Sequence, residues 1–306
     1  CARYQWQDLL QQVAQRNDEP QRWLFAYRLN HFAGIAMLIH CLANRASLVI
    51  PSHPGVAEAI SCIRDFSVSH VSSTPTFWRF ALALLQRDNI LELEHITLGS
   101  EAVDDGILEE LTALFPTARI VHIYASTEAG SCVSVSDGKA GLPLGILHRP
   151  DSAAVQFQVR DDELYIRSQH GMRGYLDDSN ADSEGWRASG DLVEIRDERI
   201  YFLGRRSETI NVGGVKVHPL TVEEVISTVE GVKLNRVYGK ENPVVGEIVA
   251  VDVLAEEGLD TSTLEASIRE ACMVLARHAR PRSIDFVDTI DTSNLKLLRR
   301  RQTKQE

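Results

Sequence analysis

Closely spaced cysteines are missing from the sequence. Its five cysteines form no Cys-x-x-Cys pair, which argues against a disulfide framework and a zinc site and favours a reducing compartment. They are Cys1, Cys41, Cys62, Cys132 and Cys272. An excess of positive charge is missing too, because 32 lysines and arginines face 43 aspartates and glutamates, for a formal net charge of −11. Non-specific binding to nucleic acid needs a basic surface, so we expect no nucleic-acid partner.

The sequence also lacks a membrane-spanning apolar run. Its longest apolar stretch, residues 32–50, is interrupted by His40, Asn44 and Arg45. This stretch therefore predicts a buried helix followed by a strand, with no membrane span. No signal peptide is visible, and we predict a cytoplasmic protein. Because the sequence starts at Cys1 without a methionine, we expect the natural chain to extend further at this end.

Residues 1–125 alternate between helical and strand-like patterns. The predicted helices are residues 6–15, 32–43, 56–66, 75–86 and 104–114. The predicted strands are residues 47–50, 68–73, 96–100 and 119–124. Such alternation predicts a mostly parallel α/β sheet.

The pattern changes after Gly130. Short strands at 153–160, 163–168, 191–195 and 199–204 are separated by turn residues, which predicts an antiparallel, barrel-like sheet. Beyond Arg205, predicted helices near 220–230 and 261–278 alternate with strands near 232–239, 247–254 and 283–288. We predict an α/β fold with two domains. Residues 1–205 would be the carboxyl-terminal part of a large domain, and residues 206–306 a small, mobile α+β domain.

The stretch VHIYASTEAG, residues 121–130, ends a buried strand in hydroxylated and acidic residues. Ligands of open α/β sheets bind beyond the carboxyl ends of the strands. There Thr127 could donate to a phosphate oxygen and Glu128 could hold Mg²⁺. An ordinary turn with a solvated glutamate explains the stretch equally well.

Three other residues, which come later in the chain, suggest a site that binds a nucleotide or a carboxylic acid. Asp191, in a Ser-Gly-Asp turn, could accept from the two hydroxyls of a ribose, and Arg205 could reach the same ribose or a phosphate. Lys296 lies between apolar residues in NLKLLRR. Plainer interpretations are a turn aspartate for Asp191 and a basic surface helix around Lys296.

Taken in order, these segments resemble the adenylate-forming superfamily of acyl- and aryl-CoA synthetases, adenylation domains and luciferases. The resemblance covers about residues 22–300. Its motifs are TLGSEAVDDGILEEL (97–111), YASTE (124–128), GMRGYL (171–176), GWRASGDL (185–192) and GRRSETINVGGVKVHPLTVEEV (204–225).

The resemblance implies roles for individual residues at the nucleotide. Thr127 would hydrogen-bond the α-phosphate of ATP, Glu128 would coordinate Mg²⁺, and Asp191 would bind the ribose with help from Arg205. Lys296 falls where the family keeps its catalytic lysine. The resemblance implies that the adenine is contacted by Gly99, Ser100, Glu101 and Tyr124. Tyr124 could instead lie against the acyl group.

The resemblance also implies an acid pocket, a hinge and a thiol channel. The acid pocket would include His31, Phe32 and Ser126, although a core histidine explains His31 as well. Ser207 takes the hinge position. Gly213 and Gly214 would line the channel for the thiol.

The sequence departs from the family in three places. No Ser/Thr/Gly-rich phosphate loop is present, and Cys1 falls about where that loop would end, so we expect a fragment of a larger protein. Ala125 replaces a glycine of the family motif. The approach to Lys296 reads IDTSNLK (290–296), without the proline and the glycine of the family.

The implied function is an acid–thiol ligase that uses ATP, Mg²⁺ and CoA. It would convert a carboxylic acid to acyl-AMP, release pyrophosphate and transfer the acyl group to CoA. Apolar residues near the predicted pocket favour an aromatic or medium-chain acid; they are Phe32, Ile35, Phe77 and Trp78. Two alternatives stay open: an adenylation enzyme that loads the phosphopantetheine of an acyl carrier protein, and a degenerate, non-catalytic binding protein.

Overall fold

The computed structural model describes residues 2–13, 20–53, 55–85, 91–175 and 184–290. Its contacts divide the chain into two units. The first unit comprises Cys1–Ser189 and Val193–Tyr201, and the second comprises Gly190–Leu192 and Phe202–Glu306. The predicted division of the sequence at residue 205 stays a prediction. Among the residues described, no helix has the length and apolar character that crossing a membrane requires.

The first unit opens with β1 (Ala2–Arg3) and α1 (Trp6–Gln11) and continues as alternating strands and helices. These elements are β2 (Arg22–Phe25), α2 (Phe32–Ala43), β3 (Ser47–Val49), α3 (Val56–Asp65), β4 (His70–Ser73), α4 (Pro75–Leu84), β5 (His95–Gly99), α5 (Asp105–Leu114), β6 (Arg119–Ser126) and β7 (Gly130–Val135). Six strands form one sheet in the order β3-β2-β4-β5-β6-β7. The strands β2 to β6 pair in parallel, and β7 is antiparallel to β6.

Local chemistry explains where the helices of this sheet begin. The Thr74 hydroxyl accepts a hydrogen bond from the backbone N–H of Phe77, and Pro75 occupies the first turn of α4. In α5 the Asp104 carboxylate accepts from the N–H of Ile107. Both caps satisfy backbone donors that a helix start leaves unpaired.

A second sheet follows in the order β8-β13-β12-β10-β9, with β9–β10 and β8–β13 antiparallel. Its strands are β8 (Leu142–Pro143), β9 (Val155–Arg160), β10 (Glu163–Ser168), β12 (Arg187–Arg196) and β13 (Arg199–Arg205). The short β11 (Gly174–Tyr175) pairs with β1 at the start of the chain. The combination of a parallel α/β sheet with an antiparallel sheet confirms the predicted fold class.

The second unit has its own sheet and its own core. The elements are β14 (Ile210–Val212), β15 (Val215–Val217), α6 (Pro219–Ser227), β16 (Val232–Asn242), β17 (Gly246–Ala255), α7 (Thr261–Ala271) and β18 (Ser283–Phe286). The strands pair in the order β15-β14-β17-β16, and β18 pairs in parallel with β17. Ile226 and Ile268 of the two helices and Val251 of β17 are fully buried in its core.

Candidate active site

The residues predicted to meet the nucleotide lie at the carboxyl ends of two neighbouring parallel strands. β5 ends at Gly99, which pairs with Ile123 of β6. The structure therefore brings residues 99–101 and residues 124–128 to one edge of the sheet, the edge where open α/β sheets bind ligands. Ser100 turns the chain at this edge with a φ of 69°.

The turn between β6 and β7 carries Thr127 and Glu128. The backbone N–H of Ala129 donates to the Ser126 hydroxyl over 3.1 Å, so Ser126 helps to close the turn. The Thr127 side chain is exposed and that of Glu128 is half-buried. The turn thus offers a hydroxyl and a carboxylate at the edge of the sheet.

A shift of register between Tyr124 and Ala125 precedes this turn. Bulges of this kind change the direction of side chains and are common beside functional sites. Ala125 itself lies within β6 and has a negative φ, so its backbone conformation does not require the glycine of the family motif. The half-buried ring of Tyr124 lies 6.4 Å from the ring of Phe157 in β9.

Residues distant in sequence hold the backbone of the turn. The hydroxyl of Tyr4 donates to the carbonyl oxygen of Thr127. The backbone N–H of Met172 donates to the carbonyl oxygen of Glu128 over 2.9 Å. Gln12 Oε1 accepts from the N–H of Ser131 over 2.9 Å. The sequence analysis missed all three contacts, which join segments more than 40 residues apart.

Glu101 has a structural contact as well as its predicted place near the adenine. Its Oε2 accepts from the backbone N–H of Thr76 over 3.0 Å, in the first turn of α4. Tyr27, which the sequence analysis did not single out, places its hydroxyl 3.4 Å from Ser72 Oγ. Burial, followed by the nearby negative charge of Glu101, raises the pKa of Tyr27. Tyr27 is therefore a neutral hydroxyl at this edge.

His31 and Phe32 begin α2, with His31 at the N-cap position. The side chain of His31 is exposed, so the alternative interpretation as a core histidine is wrong. The ring of Phe32 is half-buried and stacks on Tyr4, with centroids 5.6 Å apart and an interplanar angle of 26°. Tyr4 thus contacts both Thr127, which is predicted to bind phosphate, and Phe32, which is predicted to line the acid pocket.

Two of the four apolar residues expected to line the acid pocket lie in the core. Phe77 and Trp78 are fully buried, and Trp78 packs edge-on against Phe77 and Phe115. The expectation is wrong for these two residues because the apolar face of α4 packs into the interior. Phe32 and Ile35 retain exposed surface.

In the second unit the structure pairs the two predicted ribose residues. Arg205 Nε donates to Asp191 Oδ1 over 2.9 Å, and the side chains are 44% and 12% exposed. Gly190 next to Asp191 has a φ of 77°. A Cβ at this glycine would lie 3.4 Å from the Arg205 guanidinium, so a side chain there would crowd the pair.

The predicted thiol-channel glycines form the turn of the β14–β15 hairpin. Gly213 and Gly214 have φ values of 61° and 89°, which suit a two-residue hairpin turn. Asn211 Oδ1 accepts from the N–H of Gly214 over 2.9 Å, and the N–H of Gly213 donates to the carbonyl of Val245 over 2.8 Å. Ser207, the predicted hinge residue, is exposed in a short 3₁₀ helix, Arg206–Glu208.

Two further predictions stay open. Lys296 lies outside the described residues. Within the parts of the chain that the structure describes, no group of three or more His, Cys, Asp or Glu residues is arranged to hold a metal ion. Coordination of Mg²⁺ by Glu128 therefore remains a prediction that would need oxygen ligands from the substrate and water.

Among the described residues, the cysteine beside this edge is a buried thiol. Cys132, on β7 beside the turn, is buried, and burial raises the pKa of its thiol to about 12. Burial likewise raises the pKa of Cys41 to about 11. Both side chains are protonated thiols at neutral pH and are poor nucleophiles.

Comparison with known families identifies the chain. The family model described as AMP-binding enzyme matches residues 2–176, more than half of the sequence. The chain belongs to the AMP-binding enzyme family. A second model, the AMP-binding enzyme C-terminal domain, matches residues 221–295.

The chain is also similar to two bacterial ligases. The chain is 28% identical over 302 residues to the 2-succinylbenzoate–CoA ligase of Bacillus pumilus, with 94% of the chain and 61% of that ligase covered. It is 26% identical over 290 residues to a 3-[(3aS,4S,7aS)-7a-methyl-1,5-dioxo-octahydro-1H-inden-4-yl]propanoyl:CoA ligase of Mycobacterium tuberculosis, covering 87% of the chain and 54% of that ligase. The chain therefore spans less than two thirds of the length of either ligase.

Among solved structures, the anthranilate CoA ligase AuaEII in complex with anthranoyl-AMP has the same fold. The TM-score is 0.79 at 20% sequence identity, with 96% of this chain and 62% of that chain covered. This likeness supports the mixed α/β fold of the AMP-binding chain.

Proposed function

We propose that this chain carries part of the active site of an AMP-forming acid–thiol ligase. The enzyme activates a carboxylic acid with ATP, forms acyl-AMP with release of pyrophosphate, and transfers the acyl group to the thiol of CoA. The observation that carries the proposal is the Thr127–Glu128 turn beside residues 99–101 at the carboxyl edge of the parallel sheet. This edge lies within the residues that match the AMP-binding enzyme model.

The side chains at this edge are suited to bind ATP and Mg²⁺. When bound, Mg²⁺ neutralises phosphate charge, and the Glu128 carboxylate is the kind of hard oxygen ligand that would hold it. The exposed hydroxyl of Thr127 would donate to an α-phosphate oxygen, which gains negative charge as the acid attacks. Residues 99–101 would meet the adenine. Tyr124 would lie against the adenine or the acyl group.

The remaining predicted residues would serve the same reaction. Asp191 would accept from the ribose hydroxyls while Arg205 holds its carboxylate. Lys296 would bridge the substrate carboxylate and the α-phosphate, two anions that repel each other without it. Ser207 would be the hinge of a small domain comprising residues 206–306, and the turn at residues 213–214 would line the thiol channel.

We propose an aromatic or medium-chain carboxylic acid as the substrate. The exposed His31 and the half-buried ring of Phe32, stacked on Tyr4, would form one side of its pocket together with Ser126. The names of the Bacillus pumilus relative and of the solved anthranilate ligase both specify aromatic acids, which supports this choice.

CoA is the favoured acceptor, because both curated relatives described above are CoA ligases. The phosphopantetheine of an acyl carrier protein remains the alternative acceptor. The free cysteines at positions 41, 62, 132 and 272 are all buried, which is compatible with the proposed cytoplasmic location.

Acid-dependent exchange of pyrophosphate into ATP tests the proposal on the full-length natural protein. A panel of aromatic and medium-chain acids should give exchange with at least one acid, and CoA should then yield its thioester. The variant Glu128→Gln removes the proposed metal ligand, and we expect exchange to fall at least about 100-fold, in line with the loss of a transition-state charge contact.

The matched control is Glu109→Gln, which changes an exposed glutamate on α5 and should leave exchange unchanged. Absence of acid-dependent exchange across the panel would rule out the ligase and favour the degenerate binding protein. Equal activity of Glu128→Gln and the natural protein would refute the role given to Glu128.

A further inference from the structure

The first residues of the chain, residues 2–12, pack against the turn that carries Thr127 and Glu128. β1 pairs with β11, Ala2 with Tyr175 and Arg3 with Gly174. The backbone N–H of Arg173 also donates to the carbonyl of Arg3 over 2.7 Å. These contacts fix the beginning of the chain beside the site.

Tyr4 makes two contacts of different kinds from this position. Its hydroxyl donates to the carbonyl oxygen of Thr127, and its ring stacks on Phe32 with centroids 5.6 Å apart. One side chain therefore links the proposed phosphate-binding turn to the proposed acid pocket.

Gln12 secures the other end of the same turn. Its Oε1 accepts from the N–H of Ser131 over 2.9 Å, and its Nε2 donates to the carbonyl of His170 over 2.8 Å. A Cβ at Gly130 would lie 2.3 Å from Gln12 Oε1, so a side chain at this position would displace the Gln12 amide from its contact with Ser131. The turn is thus tied at residue 127 by Tyr4 and at residue 131 by Gln12.

We propose that Tyr4 is a positioning residue for the adenylation site. It sets the position of Thr127 and Glu128 relative to Phe32, and hence the position of the phosphate ligands relative to the bound acid. Reaction between two bound groups is sensitive to displacements of about 1 Å, and a hydroxyl on an exposed turn needs such backbone support. The inference rests on the function proposed above.

Two substitutions in the full-length protein separate the two contacts of Tyr4. Tyr4→Phe removes only the hydrogen bond to Thr127, and we expect the KM for MgATP in pyrophosphate exchange to rise about three- to ten-fold, the range of one lost hydrogen bond. The KM for the acid should stay within about two-fold. Tyr4→Leu also removes the stacking on Phe32 and should raise both KM values.

Amide hydrogen exchange provides a measurement that does not depend on activity. In Tyr4→Phe, a peptide covering residues 124–132 should exchange faster than in the natural protein, while a peptide covering residues 155–168 should not change. The matched control Tyr165→Phe removes a hydroxyl from β10 and should leave both KM values and the exchange of residues 124–132 unchanged.

The outcomes are distinguishable. Unchanged hydrogen exchange of residues 124–132 in Tyr4→Phe overturns the inference whether or not the protein is a ligase. Faster exchange with an unchanged KM for MgATP also overturns it, because Tyr4 would then only stabilise the fold. If the natural protein lacks acid-dependent activity, the ligase proposal fails and the hydrogen-exchange result alone decides whether Tyr4 positions the turn.

Discussion

Asp191 and Arg205 illustrate how a single ion pair can orient a carboxylate, here one that we propose as a ribose ligand. Asp191 is nearly buried, whereas Arg205 keeps 44% of its side chain exposed. One carboxylate oxygen of Asp191 accepts a hydrogen bond from Arg205 Nε, and each carboxylate oxygen can accept more than one hydrogen bond. We propose that the ribose hydroxyls donate to this carboxylate. The ion pair therefore holds the carboxylate of Asp191 in one direction.

Replacing Asp191 with asparagine should weaken the binding of ATP. The amide offers one acceptor oxygen instead of two and carries no charge, so hydrogen bonds from the ribose become weaker. We expect the KM for MgATP in acid-dependent exchange to rise roughly ten-fold, corresponding to about 1.4 kcal/mol. A steady-state titration of ATP at saturating acid measures it.

The control for this substitution is Asp161→Asn, in the exposed turn between β9 and β10. Asp161 has a φ of 49°, a conformation that asparagine also adopts readily. Equal KM values for the Asp191→Asn protein, the control and the natural protein would contradict the ribose role of Asp191.

Individual site residues differ in how far the sequence could predict them. Thr127 and Glu128 were visible because hydroxylated and acidic residues directly follow a buried apolar strand. Tyr4 carried no such signal, since its partner Thr127 lies 123 positions away. Tyr27 was missed because β2, the strand that it follows, was itself missed.

At the scale of elements, non-local pairing explains the strands that the sequence did not predict. β2 has only four residues and includes an arginine, yet it pairs with β3 on one side and β4 on the other. β7 contains glycine, serine and cysteine, which have little intrinsic preference for strands, and it forms by pairing with β6. β5 and β6 were predictable because each carries isoleucine and other apolar residues and follows a helix-like segment.

The strand that carries the proposed site also contains a buried histidine. We therefore predict that the folding stability of the protein falls at acidic pH. His122 on β6 donates from Nε2 to the carbonyl of Lys139 over 3.0 Å. Burial lowers the pKa of His122 below the ordinary value of 6.5. The hydrogen bond to Lys139 and the charges of Asp137 and Asp105 oppose this shift, whereas the charge of Arg199 adds to it. The unfolded chain therefore binds the proton first, and stability falls as pH drops below about 6.5 towards the folded pKa.

Urea unfolding at pH 7.5 and pH 5.5 measures this effect. The loss through one such group is at most about 1.4 kcal/mol per pH unit, and His122→Gln should reduce the difference between the two pH values. The exposed His53 offers a control, because His53→Gln should leave the difference unchanged. An unaltered pH dependence in His122→Gln would show that other groups cause it.

At the scale of the whole molecule, each of the two units has a core of its own. In the first unit Leu24, Val71 and Ile96 of adjacent parallel strands are fully buried. In the second, Ile226 and Ile268 of the helices pack against Val251 of the sheet. Apolar burial is the main source of stability for each unit. The proposed hinge at Ser207 needs a small domain that can move without unfolding, and a separate core permits such movement.

We therefore predict that the cores can be weakened one at a time. Ile268→Ala should destabilise the second unit by about 2–5 kcal/mol, the usual cost of truncating a buried isoleucine to alanine. Ile96→Ala should destabilise the first unit by a similar amount. Differential scanning calorimetry should resolve two transitions, with each substitution lowering a different one and leaving the other in place. Because both substitutions remove the same atoms from fully buried positions, each is the control for the other. A single transition that both variants lower equally would mean that the units unfold together, and the independent movement that we propose for residues 206–306 would lose its basis.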